Sequence, residues 1–150
     1  MCHRYFHDNL THPLGRNDTA FTITEAQRAR EAHLHVRDKG RLVPQPQEKP
    51  SPTRIFSVGG GIYSTAPDYL TLLKALLNGG SLGGKTILRP QTVELMAANQ
   101  IGDLEAGVMK TTNPAVSADV DFFPHTRLRW GFGGMINLDA RADGRKAGSM

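Results

Sequence analysis

GGGIYSTAPDYLTLLKALLNGGSLGGKTILRPQTVELMAANQ, residues 59–100, is the stretch whose reading decides the fold. Within it, Gly79 and Gly84-Lys85-Thr86 spell G-x-x-x-x-G-K-[ST], the pattern of a phosphate-cradling loop. Such a loop needs a buried strand before it and a helix that begins at its Lys-Thr, so that backbone N–H groups and the helix dipole face the phosphates. Here the order is reversed. Ser64 or Thr65 caps a helix, Pro67 sits in its first turn and Asp68 suits its positive end. Leu70, Leu73, Leu76 and Leu77 form its apolar stripe. Asn78-Gly79-Gly80 stops it, with Gly79 able to take the left-handed conformation of a C-cap. Thr86 then runs into Ile87-Leu88-Arg89-Pro90, and a helix nucleated on Lys85 cannot pass Pro90 without losing a hydrogen bond and clashing. The glycines read as a helix stop followed by a tight turn, and nucleotide binding is set aside. A second short helix is expected from Pro90 to about Asn99, with Val93, Met96 and Ala97 facing inward.

Upstream, residues 2–10 read as an amphipathic helix with Tyr5, Phe6 and Leu10 on its buried side, ended by His12-Pro13. Thr24-Glu25-Ala26-Gln27 is a capping box that opens a helix from about Glu25 to Leu34. Residues 40–56 hold four prolines and read as a long extended connection. Downstream, residues 101–124 read as a loop and 127–138 as a strand interrupted by glycines. Asp143-Gly144 marks a hairpin turn.

Composition narrows the function classes. A chain of 150 residues with 39% hydrophobic and 21% charged residues suits one globular domain. No apolar run approaches the about 20 residues that span a bilayer. MCHRYFHDNL has no apolar core of a signal peptide, so the cytoplasm is the default expectation. The net charge is +4, but the eighteen Lys and Arg are scattered, so a solvated surface is favoured over a nucleic-acid partner. Cys2 is the only cysteine, which excludes an internal disulfide.

The spaced pattern of residues 59–100 resembles the serine hydrolases of the β-lactamase-like superfamily, in the branch of class C β-lactamases and penicillin-binding-protein-like esterases. Gly59 to Gly61, Ser64, Thr65, Asp68, Asn78 to Gly80, Leu88, Pro90, Thr92, Val93 and Met96 all fit its pattern. His12-Pro-Leu-Gly-Arg-Asn-Asp-Thr-Ala-Phe21 resembles the family's PLGM-x-DT-x-F segment, with Arg16 in place of methionine. Trp130-Gly-Phe-Gly-Gly resembles its GWGFG strand. The resemblance implies an α+β, partial β-lactamase/transpeptidase-like fold over residues 1–150. Its helices would accompany an incomplete antiparallel sheet. It also implies acyl transfer to and from a serine, a small-molecule ester or amide substrate, and no metal or organic cofactor.

The family's chemistry rests on S-x-x-K, on Y-x-N and on a K-T-G-type strand motif. None is present. Ser51, Ser57, Ser64, Ser81 and Ser117 lack a lysine three residues on, and Ser149 is the penultimate residue. Tyr5, Tyr63 and Tyr69 are not followed by x-Asn, and Lys85-Thr86 is followed by Ile87. No catalytic residue is therefore assigned. The expectation is an internal portion of a longer hydrolase, without the nucleophile region and the last strands, and inactive alone. The alternative is a non-catalytic interaction module that keeps the scaffold. An uncovered sheet edge in such a portion predicts self-association.

Several single residues have plainer roles open to them. His3 and His7 sit four apart beside Cys2, a spacing that can hold zinc, but a surface face is favoured and no metal site is assigned. His33 and His35 suit a helix end. His125 reads as a turn residue, and Tyr63 and Trp130 as packing residues. Ser64 lacks a base at helical spacing and reads as a cap. The triple glycine is either a bend or a cleft wall where only bare backbone fits. The resemblance favours the wall, which makes Ser57, Gly59 and Gly60 the candidate substrate-lining residues.

Overall fold

The first helix opens on Cys2 and loses its regular pitch after one and a half turns. In the computed structural model, which describes residues 2–46, 61–114, 117–142 and 144–150, α1 spans Cys2–Phe6 and passes into a π-helical turn, His7–Thr11. The His12 N–H closes that turn on the His7 carbonyl at 2.9 Å, ahead of Pro13. Phe6 and Leu10 are half-buried as expected, with the Phe6 ring edge-on to Phe21, but Tyr5 is exposed.

The capping box forms as the sequence predicts. The Thr24 hydroxyl accepts from the Gln27 N–H at 3.2 Å, and the Gln27 side-chain oxygen accepts from the Thr24 N–H at 2.9 Å. The helix it opens, α2, covers only Glu25–Arg28 rather than reaching Leu34. A short helix is marginal without tertiary packing. Here the chain instead turns so that Arg30 reaches back to Asp18 at 2.7 Å. Strand β1, His35–Asp38, and β2, Arg41–Pro44, then pair antiparallel, with Val36 opposite Val43. This hairpin takes up the first residues of the extended connection expected over 40–56, of which residues 47–56 lie outside the described residues. Lys39 and Gly40 both take positive φ, the conformation of a two-residue hairpin turn, and Pro44 sits at the strand end where its missing N–H costs least.

Helix α3 spans Ala66–Leu77. Its N-cap is Thr65, whose hydroxyl accepts from the Asp68 N–H at 3.4 Å, so the cap is Thr65 and not Ser64. The helix turns Asp68, Leu72, Ala75 and Leu76 inward. Leu70, Leu73 and Leu77, expected on the inner stripe with Leu76, face outward instead. The next elements answer the phosphate-loop pattern. Strands β3, Ser81–Leu82, and β4, Lys85–Thr86, form a hairpin around Gly83-Gly84, whose φ values are 56° and 75°. Lys85 and Thr86 thus lie on a strand, and no helix begins there. Gly80 must be glycine: its φ is 93°, and a Cβ would stand 2.2 Å from the Leu88 carbonyl oxygen.

Two units divide the chain, Met1–Leu88 and Arg89–Met150. The second opens with α4, Pro90–Ala97, where Val93, Met96 and Ala97 are half-buried as expected. The interrupted strand of residues 127–138 resolves into β5, Leu128–Trp130, and β6, Met135–Asn137, paired antiparallel. Leu128, Ile136 and Asn137 are buried there. The Asn137 side chain donates to the Ser149 hydroxyl at 3.0 Å, and its backbone exchanges bonds with Gly148 and Ser149. A Cβ on Gly131 would stand 2.3 Å from the Met96 carbonyl oxygen, so the glycine lets the hairpin approach the end of α4. Among the described residues no helix is long and apolar enough to cross a membrane.

Candidate functional site

Polar groups from two distant segments meet at the start of α3. The Asp68 carboxylate accepts from the Asp18 N–H at 2.9 Å and from the Thr19 hydroxyl at 2.8 Å. The Asp68 carbonyl accepts from Arg16 Nε at 2.9 Å. Arg16 is 5% exposed and Thr19 4%, so both bring polar atoms out of water and need these partners. Burial lowers the Arg16 guanidinium pKa, and the Asp68 charge works against that shift. A backbone pair between Ala20 and Tyr63, with N–H···O distances of 3.1 and 2.9 Å, holds the two segments in register.

Ser64 joins this cluster from its edge. Its hydroxyl lies 2.8 Å from the Thr19 hydroxyl. Thr19 has one hydroxyl proton, and that proton goes to Asp68, so Ser64 donates to Thr19. The exposed serine is therefore held by another alcohol and not by a base. A serine nucleophile needs a proton acceptor within hydrogen-bond reach. Thr19 cannot serve as one, and the Asp68 oxygen beyond it already takes the Thr19 proton.

An open cleft of about 370 Å³ lies beside Ser64, with Asp18, Gln27, Arg30, Ile62, Ser64 and Thr65 on its walls. Its charged groups are already matched. Arg30 donates to Asp18 at 2.7 and 3.2 Å, and Gln27 donates to the same carboxylate at 3.1 Å. The Arg30 hydrogen bonds, then that from Gln27, hold the Asp18 carboxyl below the usual carboxylate range. Among the described wall residues none is lysine or histidine.

The sequence-derived candidates fare unequally. Ser57, Gly59 and Gly60, read as substrate-lining, lie outside the described residues. Ser64 stands at the cleft but as an edge donor, not as the cap. The His7 ring is committed to Asp8 at 2.8 Å and stacks on His12. Among the described residues no group of three histidine, cysteine or carboxylate side chains is placed to hold a metal ion. His125 has a positive φ of 63°, as fits a turn. The meeting of Arg16, Thr19 and Asp68 was not read from the sequence. Its one signal was Arg16 standing where the family pattern has methionine.

A family model described as Beta-lactamase matches residues 3–149. The chain belongs to the beta-lactamase family. Its fold is the α+β, partial β-lactamase/transpeptidase-like arrangement of helices and small antiparallel sheets. Simvastatin synthase from Aspergillus terreus, in its unliganded selenomethionyl form, is 25% identical with a TM-score of 0.66, over 97% of this chain and 37% of that one. A mutant of the same synthase is 27% identical with a TM-score of 0.70, over 99% and 37%. The octameric penicillin-binding protein homologue from Pyrococcus abyssi, at 22% identity and a TM-score of 0.57 over 92% and 26%, shares the fold. An uncharacterised protein of Mycobacterium tuberculosis is 33% identical over 94 residues, which are 61% of this chain and 23% of that protein. This beta-lactamase-family chain thus spans between 23% and 37% of the length of these four proteins.

Proposed function

We propose that this chain is the scaffold portion of a serine hydrolase that cleaves a small ester or amide through an acyl-serine. The reacting serine, its lysine and the Y-x-N tyrosine come from polypeptide outside this sequence. The chain then lacks turnover of its own. The observation that carries this reading is the proton accounting at Ser64: the exposed hydroxyl at the cleft donates to Thr19, whose own proton is taken by Asp68. The absence of S-x-x-K and Y-x-N anywhere in the 150 residues supports it. In this reading Ser57, Gly59 and Gly60 form a wall of the parent's substrate cleft. No metal or organic cofactor takes part.

The test is hydrolysis of p-nitrophenyl butyrate and nitrocefin by the purified chain. The expected rate equals that of buffer. A rate that vanishes when one serine of this chain is changed to alanine overturns the reading. The coding sequence around this stretch gives a second check, because S-x-x-K and Y-x-N upstream favour the hydrolase portion. A non-catalytic interaction module is the alternative, and the exposed apolar side of α3 favours it.

A further inference from the structure

Of the six asparagines in the chain, Asn78 is the one followed by a glycine. That pair is prone to self-attack, because a glycine nitrogen meets no side chain of its own on the way to the asparagine Cγ. Asn78 is exposed and forms the C-cap of α3. The cap nonetheless withholds each group that the reaction uses. The Gly79 N–H must lose its proton before its nitrogen attacks, and it donates to the Leu76 carbonyl at 3.0 Å. The Asn78 amide must leave, and it donates to the Ser81 carbonyl at 3.0 Å. With ψ at 32°, the Asn78 backbone carries the Gly79 nitrogen away from the Asn78 side chain, so an imide ring closes only after a large rotation about the Cα–C bond. The next residue resists that rotation. The Gly80 N–H donates to the Ala75 carbonyl at 2.8 Å, and the Gly80 carbonyl accepts from the Ile87 N–H at 2.9 Å.

We propose that Asn78 is a self-modification site gated by the stop of α3: it reacts when the stop opens and not while the stop is closed. On opening, the Gly79 nitrogen bonds to the Asn78 Cγ and the Cγ–Nδ2 bond breaks. The Gly79 proton passes through water to the departing amide, which leaves as ammonia. The cyclic imide then takes up one water. Cleavage of its new bond leaves aspartate at position 78, and cleavage of the original backbone bond leaves isoaspartate. Neither product restores the stop. Aspartate lacks the amide that donates to Ser81 and sets a negative charge at the negative end of the helix. Isoaspartate adds a methylene to the backbone and displaces Gly79 and Gly80 from the Leu76 and Ala75 carbonyls. Each opening that runs to completion is therefore recorded for good, and a helix end opens at lower cost than the whole fold. The inference holds whether or not a longer parent hydrolyses anything.

The purified chain and a synthetic peptide of residues 72–84 are incubated side by side in warm, mildly alkaline buffer. Peptide mapping follows the amide-to-acid mass gain and the isoaspartate at position 78. Asn78 should convert about tenfold faster or more in the peptide than in the chain, because the chain reacts only through its opened population. Unfolding concentrations of urea should close that gap. Gly80→Ala sets a Cβ 2.2 Å from the Leu88 carbonyl oxygen, so it should force the stop open and raise the chain's rate toward the peptide's. Hydrogen exchange on the parent chain keeps the test decisive if Gly80→Ala fails to fold: the Gly79 amide should be protected by a factor similar to the ratio of the two reaction rates. Equal rates in chain and peptide overturn the proposal. So does a Gly79 amide that exchanges freely while Asn78 stays intact, or an Asn78 that survives in urea.

Discussion

The start of α3 and its outer side show two opposite treatments of one twelve-residue helix. At its start, Arg16 Nε, the Asp18 N–H and the Thr19 hydroxyl all donate to Asp68. Along the outer side, four large apolar side chains stand in water. The first region is finished without any partner; the second is stable only at the expense of exposed hydrocarbon. The contrast teaches that the family pattern around Ser64 to Asp68 specifies how two chain segments lock together. The leucine-rich part specifies a surface that something else covers.

Asp68→Ala breaks this contrast most directly. It removes the carboxylate oxygen that accepts from both the Asp18 N–H and the Thr19 hydroxyl and leaves Arg16 without its counter-charge, at a cost of about 3 kcal/mol. Urea unfolding measures it, and a loss below 1 kcal/mol contradicts the picture of a locked junction. The cap follows. Thr65→Ala should cost about 1 kcal/mol. Ser64→Ala should cost about half of that, because Ser64 only donates from an exposed edge. A reversed order would return the cap to Ser64.

The same helix shows what a sequence displays and what it hides. Its existence, its proline-bearing first turn and its glycine stop were plain, because caps and breakers act within a few residues of where they stand. Its orientation was not. Leucines at 70, 72, 73, 76 and 77 spread over about 160° of the helix circumference, so the face is too wide for periodicity to say which part of it turns inward. The glycine turn at 83–84 was legible for the same local reason as the caps. The β1–β2 hairpin was missed because the prolines from Pro44 onward masked a turn, Lys39-Gly40, that lacks the Asn-Gly signature. The Arg16–Asp68 lock joins residues 52 apart, a pairing that only the folded chain displays.

A smaller effect sharpens the polar side of the comparison. The Asp18 carboxyl is depressed by Arg30 and then by Gln27. A depressed carboxyl stabilises the fold above the usual carboxylate pKa of about 3.9 and loses that contribution as pH falls through its lower folded value. The melting temperature should therefore decline below about pH 4, and Asp18→Asn should flatten part of that decline. Both partners are solvent-facing, so the step is modest and weakens with salt. A melting curve equally steep in Asp18→Asn would assign the acid sensitivity elsewhere.

The central claim is that this chain carries the scaffold of a beta-lactamase-family serine hydrolase without the serine that forms the acyl bond. Intact-mass spectrometry after incubation with a fluorophosphonate probe tests it most directly, since that reagent marks activated serines whatever the natural substrate. The account predicts an unmodified mass. A single stoichiometric adduct on a serine of this chain, lost when that serine becomes alanine, would contradict it.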